Sequence, residues 1–248
     1  MLKIQQLFVT SGDIQILSGI NCIIPSGELV VLVGENGSGK SSLVSTLIGH
    51  PAYTITGGLI EWNNENIAML SVQERSLRGL FMTFQQQPIL EGIVVFDFLA
   101  EVTRLHAMRN AHDARSENAF DMYTYLTSIA KTLGLTPESL VRTFDSGFST
   151  GELKRIELMI YSIIKPQITI FDEIDAGLDC GAVDKLIHCI NSHRQAQPQA
   201  IHIVITHTLS FARSLAPDAV YWLQKGTIIA QGKSELFDQI QAKGYQAV

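Results

Sequence analysis

The chain has 248 residues, of which 46% are hydrophobic and 17% charged, and its formal net charge is −6. These values exclude wholesale disorder and leave room for a sizeable core, either in one large domain or in a core with an inserted subdomain. An acidic balance with scattered basic residues also speaks against nucleic acid as a partner.

The opening residues alternate as strands do. Leu2, Ile4 and Leu7 to Val9 come first, then a turn at Ser11-Gly12-Asp13, then Ile14 to Ile24 and a second turn at Pro25-Ser26-Gly27. This predicts an antiparallel sheet at the start of the chain. Leu29 to Val33 is a short apolar strand, and Gly57 to Asn63 reads as a turn and short strand. From Val94 to Leu140 the period is helical, with Phe96, Leu99 and Val102 on one face and Phe120, Tyr123, Leu126 and Ile129-Ala130 on another. A helix is expected after Phe148, a strand at Ile168 to Phe171, a helix at Val183 to Ile190 and a strand at Ile201 to Thr206. Val220 to Leu223 and Gly226 to Gln231 close the chain as a hairpin. Strands alternating with helices predict an α/β domain with a largely parallel sheet. Residues 1–88 and 150–248 would form that core, and residues 89–149 a helical insertion.

No apolar run approaches the roughly 20 residues of a membrane span. The start, Met1-Leu2-Lys3-Ile4-Gln5-Gln6, lacks the apolar core of a signal peptide. A cytoplasmic chain with no direct membrane insertion is expected. The three cysteines, Cys22, Cys180 and Cys189, have no paired spacing and read as reduced, mostly buried thiols.

The segment Gly34-Glu35-Asn36-Gly37-Ser38-Gly39-Lys40-Ser41 carries the most chemistry. It lies between the strand Leu29–Val33 and a helical run that opens with Ser42. Strand, glycine-rich turn and helix is the context a phosphate-binding loop needs. Glycines let successive N–H groups curl around an anion, and the helix N-terminus adds unpaired donors and a positive dipole end. Lys40 is expected on the β- and γ-phosphates of a nucleoside triphosphate and Ser41 on Mg²⁺.

Two further segments complement the loop. The apolar strand at Ile168 ends in Asp172-Glu173, which a parallel sheet delivers to its ligand-binding edge. Asp172 would hold Mg²⁺ and Glu173 would orient or deprotonate an attacking water. Ser149-Thr150-Gly151-Glu152 opens a helix. It reads as a capping box, and its helix N-terminus is equally suited to meet a phosphate.

Together these segments resemble the ABC-type ATPases, with a P-loop NTPase nucleotide-binding domain, an antiparallel β-subdomain and a helical subdomain insertion. The motifs run in family order: Walker A at Gly34–Ser41, Q-loop at Phe84-Gln85, signature at Ser149–Glu152, Walker B at Ile168–Glu173, D-loop at Ala176–Asp179 and H-loop at His207. The resemblance implies that ATP and Mg²⁺ are bound, with Gln85 on the metal or attacking water, His207 on the γ-phosphate and Asp179 at a dimer contact. It implies an ATP-dependent homodimer, in which Ser149 and Gly151 of a second copy complete the phosphate site. Thr150 stands where the family has a glycine. The usual adenine-stacking position falls at Ser11, with Phe8 nearby.

The run Asp172-Glu173-Ile174-Asp175-Ala176-Gly177-Leu178-Asp179 is similar to the SufC family, the ATPases of the SUF iron–sulfur cluster assembly system. Gly49 to Gly58, Phe81 to Gln85, Gly147-Phe148-Ser149 and Lys243-Gly244-Tyr245 match that family in kind and place. This implies scaffold partners of the SufB and SufD type, and slow ATP hydrolysis by the isolated chain. The generic motif set also admits the ATPase subunit of a membrane transporter.

Overall fold

The computed structural model describes residues 1–84, 90–109, 118–145 and 147–244, so Gln85 and Tyr245 lie outside the described residues. In chain order the elements begin with β1 (Leu2–Ser11), β2 (Ile14–Ile24), β3 (Leu29–Val33), α1 (Lys40–Ile48), β4 (Thr54–Trp62), β5 (Glu65–Asn66), α2 (Val72–Leu77) and β6 (Leu80–Met82). The middle holds α3 (Val95–Arg109), α4 (Ala119–Leu133), α5 (Pro137–Val141) and α6 (Thr150–Ile164). Then come β7 (Ile168–Asp172), α7 (Cys180–Ala196), β8 (Ile201–Ile205), α8 (Leu209–Ser214), β9 (Ala219–Gln224), β10 (Thr227–Gly232) and α9 (Glu235–Lys243). They gather into two compact units. One comprises Met1–Thr83, Pro166–Ile174 and Ala196–Val248, the other Phe84–Lys165 and Asp175–Gln195.

The first unit contains two sheets. A four-stranded antiparallel sheet has the order β2-β1-β4-β5. A six-stranded sheet has the order β10-β9-β3-β8-β7-β6, with every pair parallel except β10 with β9. Residues of β3, β7 and β8 are buried throughout, which is why their sequences are continuous apolar runs rather than alternating ones. Gly57-Gly58 is not a turn: β4 runs straight through it. The cause is a bulge in β1, where Gln6 has φ 44° and the pairing shifts between Gln5 and Phe8. A Cβ at Gly58 would lie 2.2 Å from the Gln6 carbonyl oxygen, so only glycine admits the bulge.

α1 has only nine residues and ends at Gly49, whose φ of 85° closes the helix in the left-handed region. Its last carbonyls meet the Arg75 guanidinium, which donates to the oxygens of Thr46 and Leu47 at 2.7 Å each. The same guanidinium donates to Ala68 and Leu70. Arg75 is 2% exposed and is bound by carbonyl dipoles at the negative end of the helix.

In the second unit α3, α4, α5 and α6 pack on one another. The buried face of α4 is Met122, Leu126, Ala130 and Leu133, spaced by four, four and three. This corrects the face read from sequence, because Phe120 is 74% exposed and Tyr123 stands at the rim against the Phe96 ring. α7 begins at Cys180, earlier than periodicity suggests. Cys180 is exposed, contrary to expectation, while Cys22 and Cys189 are half-buried free thiols. Burial pushes the Cys22 thiol up to about 12. No helix among the described residues is long and apolar enough to cross a membrane.

Candidate functional site

The strand register of the first unit sets the site. Leu32 pairs with Ile205, and Ile205 pairs with Asp172. The C-terminal ends of β3, β8 and β7 are therefore level, at the sheet edge where open α/β folds bind ligands. Each strand continues into a segment singled out above: β3 into Gly34–Ser41, β8 into His207 and β7 into Glu173.

The loop after β3 has a forced shape. Gly34, Gly37 and Gly39 have φ of 154°, 77° and 104°. A Cβ at Gly34 would lie 2.3 Å from the Leu223 carbonyl oxygen, whereas one at Gly37 would meet open space. The loop is pinned by Ser38 N–H on Glu35 O and by Gly226 N–H on Ser38 O. Glu35, Asn36 and Gly37 are exposed, and Ser41 and Ser42 half-buried. Gly39 is the N-cap of α1 and offers no side chain to the helix N–H groups. The Lys40 ammonium is buried and donates to the oxygens of Gly34 and Glu35 at 2.8 Å each. Burial lowers its pKa, opposed by the charges of Glu173 and Asp172.

Asp172 is 3% exposed and Oδ1 has no hydrogen-bond partner among the described residues. Burial first, and then the Glu173 charge, raises its carboxyl pKa to about 6, while the Ser41 hydroxyl, Lys40 and His207 act in the other direction. The Asp172 N–H donates to Thr83 Oγ1 at 3.2 Å. Glu173 has φ 52°, strained for a residue with a side chain, and its N–H donates to Ile205 O at 2.9 Å. Its Oε1 lies 3.1 Å from His207 Nε2.

This donor set fits a triphosphate with its metal. An uncapped helix N-terminus, a buried ammonium and the Ser38 Oγ, which has no hydrogen-bond partner among the described residues, suit anionic oxygens. The Ser41 hydroxyl and the under-satisfied Asp172 carboxylate are hard oxygen ligands of the kind Mg²⁺ takes.

Ser149, Gly151 and Asp179 lie in the second unit. Ser149 caps α6 in a complete capping box: its Oγ accepts from Glu152 N–H at 3.2 Å, and Glu152 Oε2 accepts from Ser149 N–H at 2.9 Å. A Cβ on Gly151 would touch nothing closer than Leu178 at 3.8 Å, so nothing within this unit demands the glycine. Asp179 Oδ1 accepts from Ala182 N–H at 2.8 Å and thereby caps α7, and Asp179 Oδ2 meets Arg155 at 3.4 Å. Lys154, also on α6, donates to Ala176 O. Phe8 lies along the β-subdomain with its ring against Gly19 and Gly57. Thr83 was not legible as a partner of Asp172, because a polar residue carries no periodic signal of what its side chain will hold.

Residues 17–176 match the family described as ABC transporter. The chain belongs to the ABC ATPase family. The match takes in the phosphate loop, the signature segment, Asp172 and Glu173, while Asp179 and His207 lie beyond it. This ABC ATPase is 33% identical over 245 residues to the probable ATP-dependent transporter SufC of Escherichia coli strain K12, covering 99% of this chain and 97% of the relative. It is 34% identical over 247 residues to the iron–sulfur cluster assembly protein SufC of Plasmodium berghei strain Anka, covering 99% and 67%. Among solved structures, an ATP-binding cassette in a dimeric post-hydrolysis state with ADP and Pi superposes with a TM-score of 0.77 at 18% identity, covering 94% of this chain and 99% of that one. At that identity the likeness speaks for the fold.

Proposed function

We propose that this chain is the ATP-binding and ATP-hydrolysing subunit that drives conformational change in a SufB/SufD-type scaffold during iron–sulfur cluster assembly. The observation that carries this reading is similarity over 99% of this chain, at 33% and 34% identity, to two proteins named SufC. In this reading the N–H groups of Glu35 to Ser42 and the Lys40 ammonium bind the triphosphate. Ser41 and Asp172 hold Mg²⁺, joined by Gln85 from the segment after Phe84. The metal, when bound, neutralises charge on the phosphate oxygens. Glu173 orients the attacking water and accepts its proton, and His207, hydrogen-bonded to Glu173, contacts the γ-phosphate.

ATP brings two copies together, so that Ser149 and Gly151 of one complete the phosphate site of the other, with Asp179 at their contact. The isolated chain hydrolyses ATP slowly and works in the cytoplasm, and residues 89–149 act as the helical subdomain that meets the scaffold.

Co-purification tests the reading. Tagged chain is expected to capture scaffold proteins without membrane-spanning segments and to hydrolyse ATP faster in their presence. Capture of an integral membrane permease, with stimulation by it, would move the assignment to a transporter subunit.

A further inference from the structure

The turn between β9 and β10 has no place in the chemistry above, yet it is built against the phosphate loop. Lys225 and Gly226 alone separate Gln224 from Thr227, and those two residues pair across the hairpin. Both turn residues have positive φ, 46° and 75°, as a two-residue hairpin turn of the I′ type requires. The Thr227 hydroxyl donates to Gln224 O at 2.9 Å and closes the turn from within.

Gly226 is buried, and both of its backbone polar groups are engaged outside the hairpin. Its N–H donates to Ser38 O at 2.9 Å, and its carbonyl accepts from Ser18 N–H of β2, also at 2.9 Å. A Cβ on Gly226 would lie 2.1 Å from Ile16 O, so a side chain here must push the turn off β2. Its Cα stands 3.4 Å from the place a Cβ would take on Gly39. Leu223 O, at the other end of the phosphate loop, leaves no room for a Cβ on Gly34. The hairpin therefore meets that loop at both ends.

Peptide geometry gives the bond to Ser38 a consequence. A peptide is planar and trans, so the Ser38 C=O and the Gly39 N–H point in opposite directions. With Ser38 O held by Gly226, the Gly39 N–H is turned away from the hairpin. Glycine resists reorientation of its peptides less than any other residue, so this one needs an outside restraint. Lys40 ties the first half of the loop through Gly34 O and Glu35 O, and Gly226 ties the second half.

We propose that Gly226 is a positioning residue for nucleotide binding: by holding Ser38 O it fixes the Ser38–Gly39 peptide so that the Gly39 N–H is presented to the phosphates. It touches no phosphate and acts through the loop. The proposal rests on the reading of Gly34–Ser41 as the triphosphate site.

The test compares Gly226→Ala and Gly58→Ala with wild type, using the full-length chain. ATP is titrated by calorimetry, and the folded fraction is followed by circular dichroism. Gly58 is the control: it also has positive φ, and a Cβ there would lie 2.2 Å from Gln6 O, an equal steric insult where β4 pairs with β1. Both substitutions are expected to lower the melting temperature. At a temperature where all three proteins are folded, the Kd for ATP is expected to rise roughly tenfold to a hundredfold in Gly226→Ala, and to stay within about twofold of wild type in Gly58→Ala. Inorganic pyrophosphate, which lacks the nucleoside, should show the same difference. Should Gly226→Ala not fold, Thr227→Val decides, because it loosens the turn without placing an atom against Ile16; it should weaken ATP binding about threefold with little change in melting temperature. An unchanged Kd in Gly226→Ala, an equal loss in Gly58→Ala, or an unchanged Kd in Thr227→Val where the alanine variant does not fold overturns the role of Gly226 and leaves the triphosphate site standing. A wild-type chain that binds neither ATP nor pyrophosphate overturns both.

Discussion

His207 Nε2 and Glu173 Oε1 stand 3.1 Å apart, although 34 residues separate them in sequence. The contact follows from the register of β7 and β8: Asp172 pairs with Ile205, so the residues just beyond both strands emerge side by side. The left-handed turn at Glu173 then brings its carboxylate to the imidazole instead of continuing the strand. Removing the carboxylate while keeping its shape is expected to separate binding from turnover. Glu173→Gln should retain ATP and lose hydrolysis by roughly 10²–10⁴-fold, measured as phosphate release beside a nucleotide titration. His207→Ala should show the same split.

Lys40 makes a sharper prediction about affinity than about stability. Among the described residues its ammonium is bonded by loop carbonyls alone, at 2.8 Å, and desolvation opposes its burial. Lys40→Ala therefore removes two hydrogen bonds and also relieves a buried charge, so the melting temperature should shift by only a few degrees. ATP affinity should fall by at least about tenfold, read with a fluorescent nucleotide analogue.

Thr150 is exposed at the first position of α6. In the proposed ATP-dependent dimer its Cβ would face the nucleotide of the second copy. Thr150→Gly is expected to raise turnover at saturating ATP and to tighten ATP-dependent dimerisation, followed by light scattering. Identical turnover and dimerisation would show that the side chain is tolerated at the contact.

His193 predicts an acid sensitivity. Burial, followed by the Lys165 charge, holds its imidazole pKa down to about 4, against an ordinary value of 6.5. The unfolded chain takes up a proton there below 6.5 and the folded chain does not. Stability is therefore complete above about 6.5 and falls as pH drops toward 4. His193→Phe keeps a ring against Tyr161, and should flatten the dependence of melting temperature on pH across that window.

Much of the site was legible in the sequence because its residues are dictated by local backbone geometry. Gly34 and Gly39 announce positive φ, and the run Ile168–Asp172 announces a buried strand ending in a carboxylate. What could not be read is what lies across space. Thr83, just after β6, is an ordinary polar residue until the Asp172 N–H donates to its hydroxyl, and the hydrophobic stripe of α4 was misassigned because Phe120 is apolar yet solvent-facing. The β1 bulge was invisible for a similar reason: Gln6 gives no hint of positive φ, and Gly57-Gly58 looks like a turn unless the partner strand is known.

Arg75 gives α1 an unusual economy. A nine-residue helix is too short to persist in water by propensity alone. With its C-terminal carbonyls fastened from outside at Thr46 and Leu47, the helix need not wait for an anion at its other end to become ordered. On the proposed reading, nucleotide would meet donors already aligned, and little of its binding energy would go into winding the helix. Cutting that distant strap with Arg75→Ala should leave buried carbonyls unsatisfied, lower stability by about 2–3 kcal/mol in a denaturant titration, and weaken ATP binding from a position that touches no phosphate.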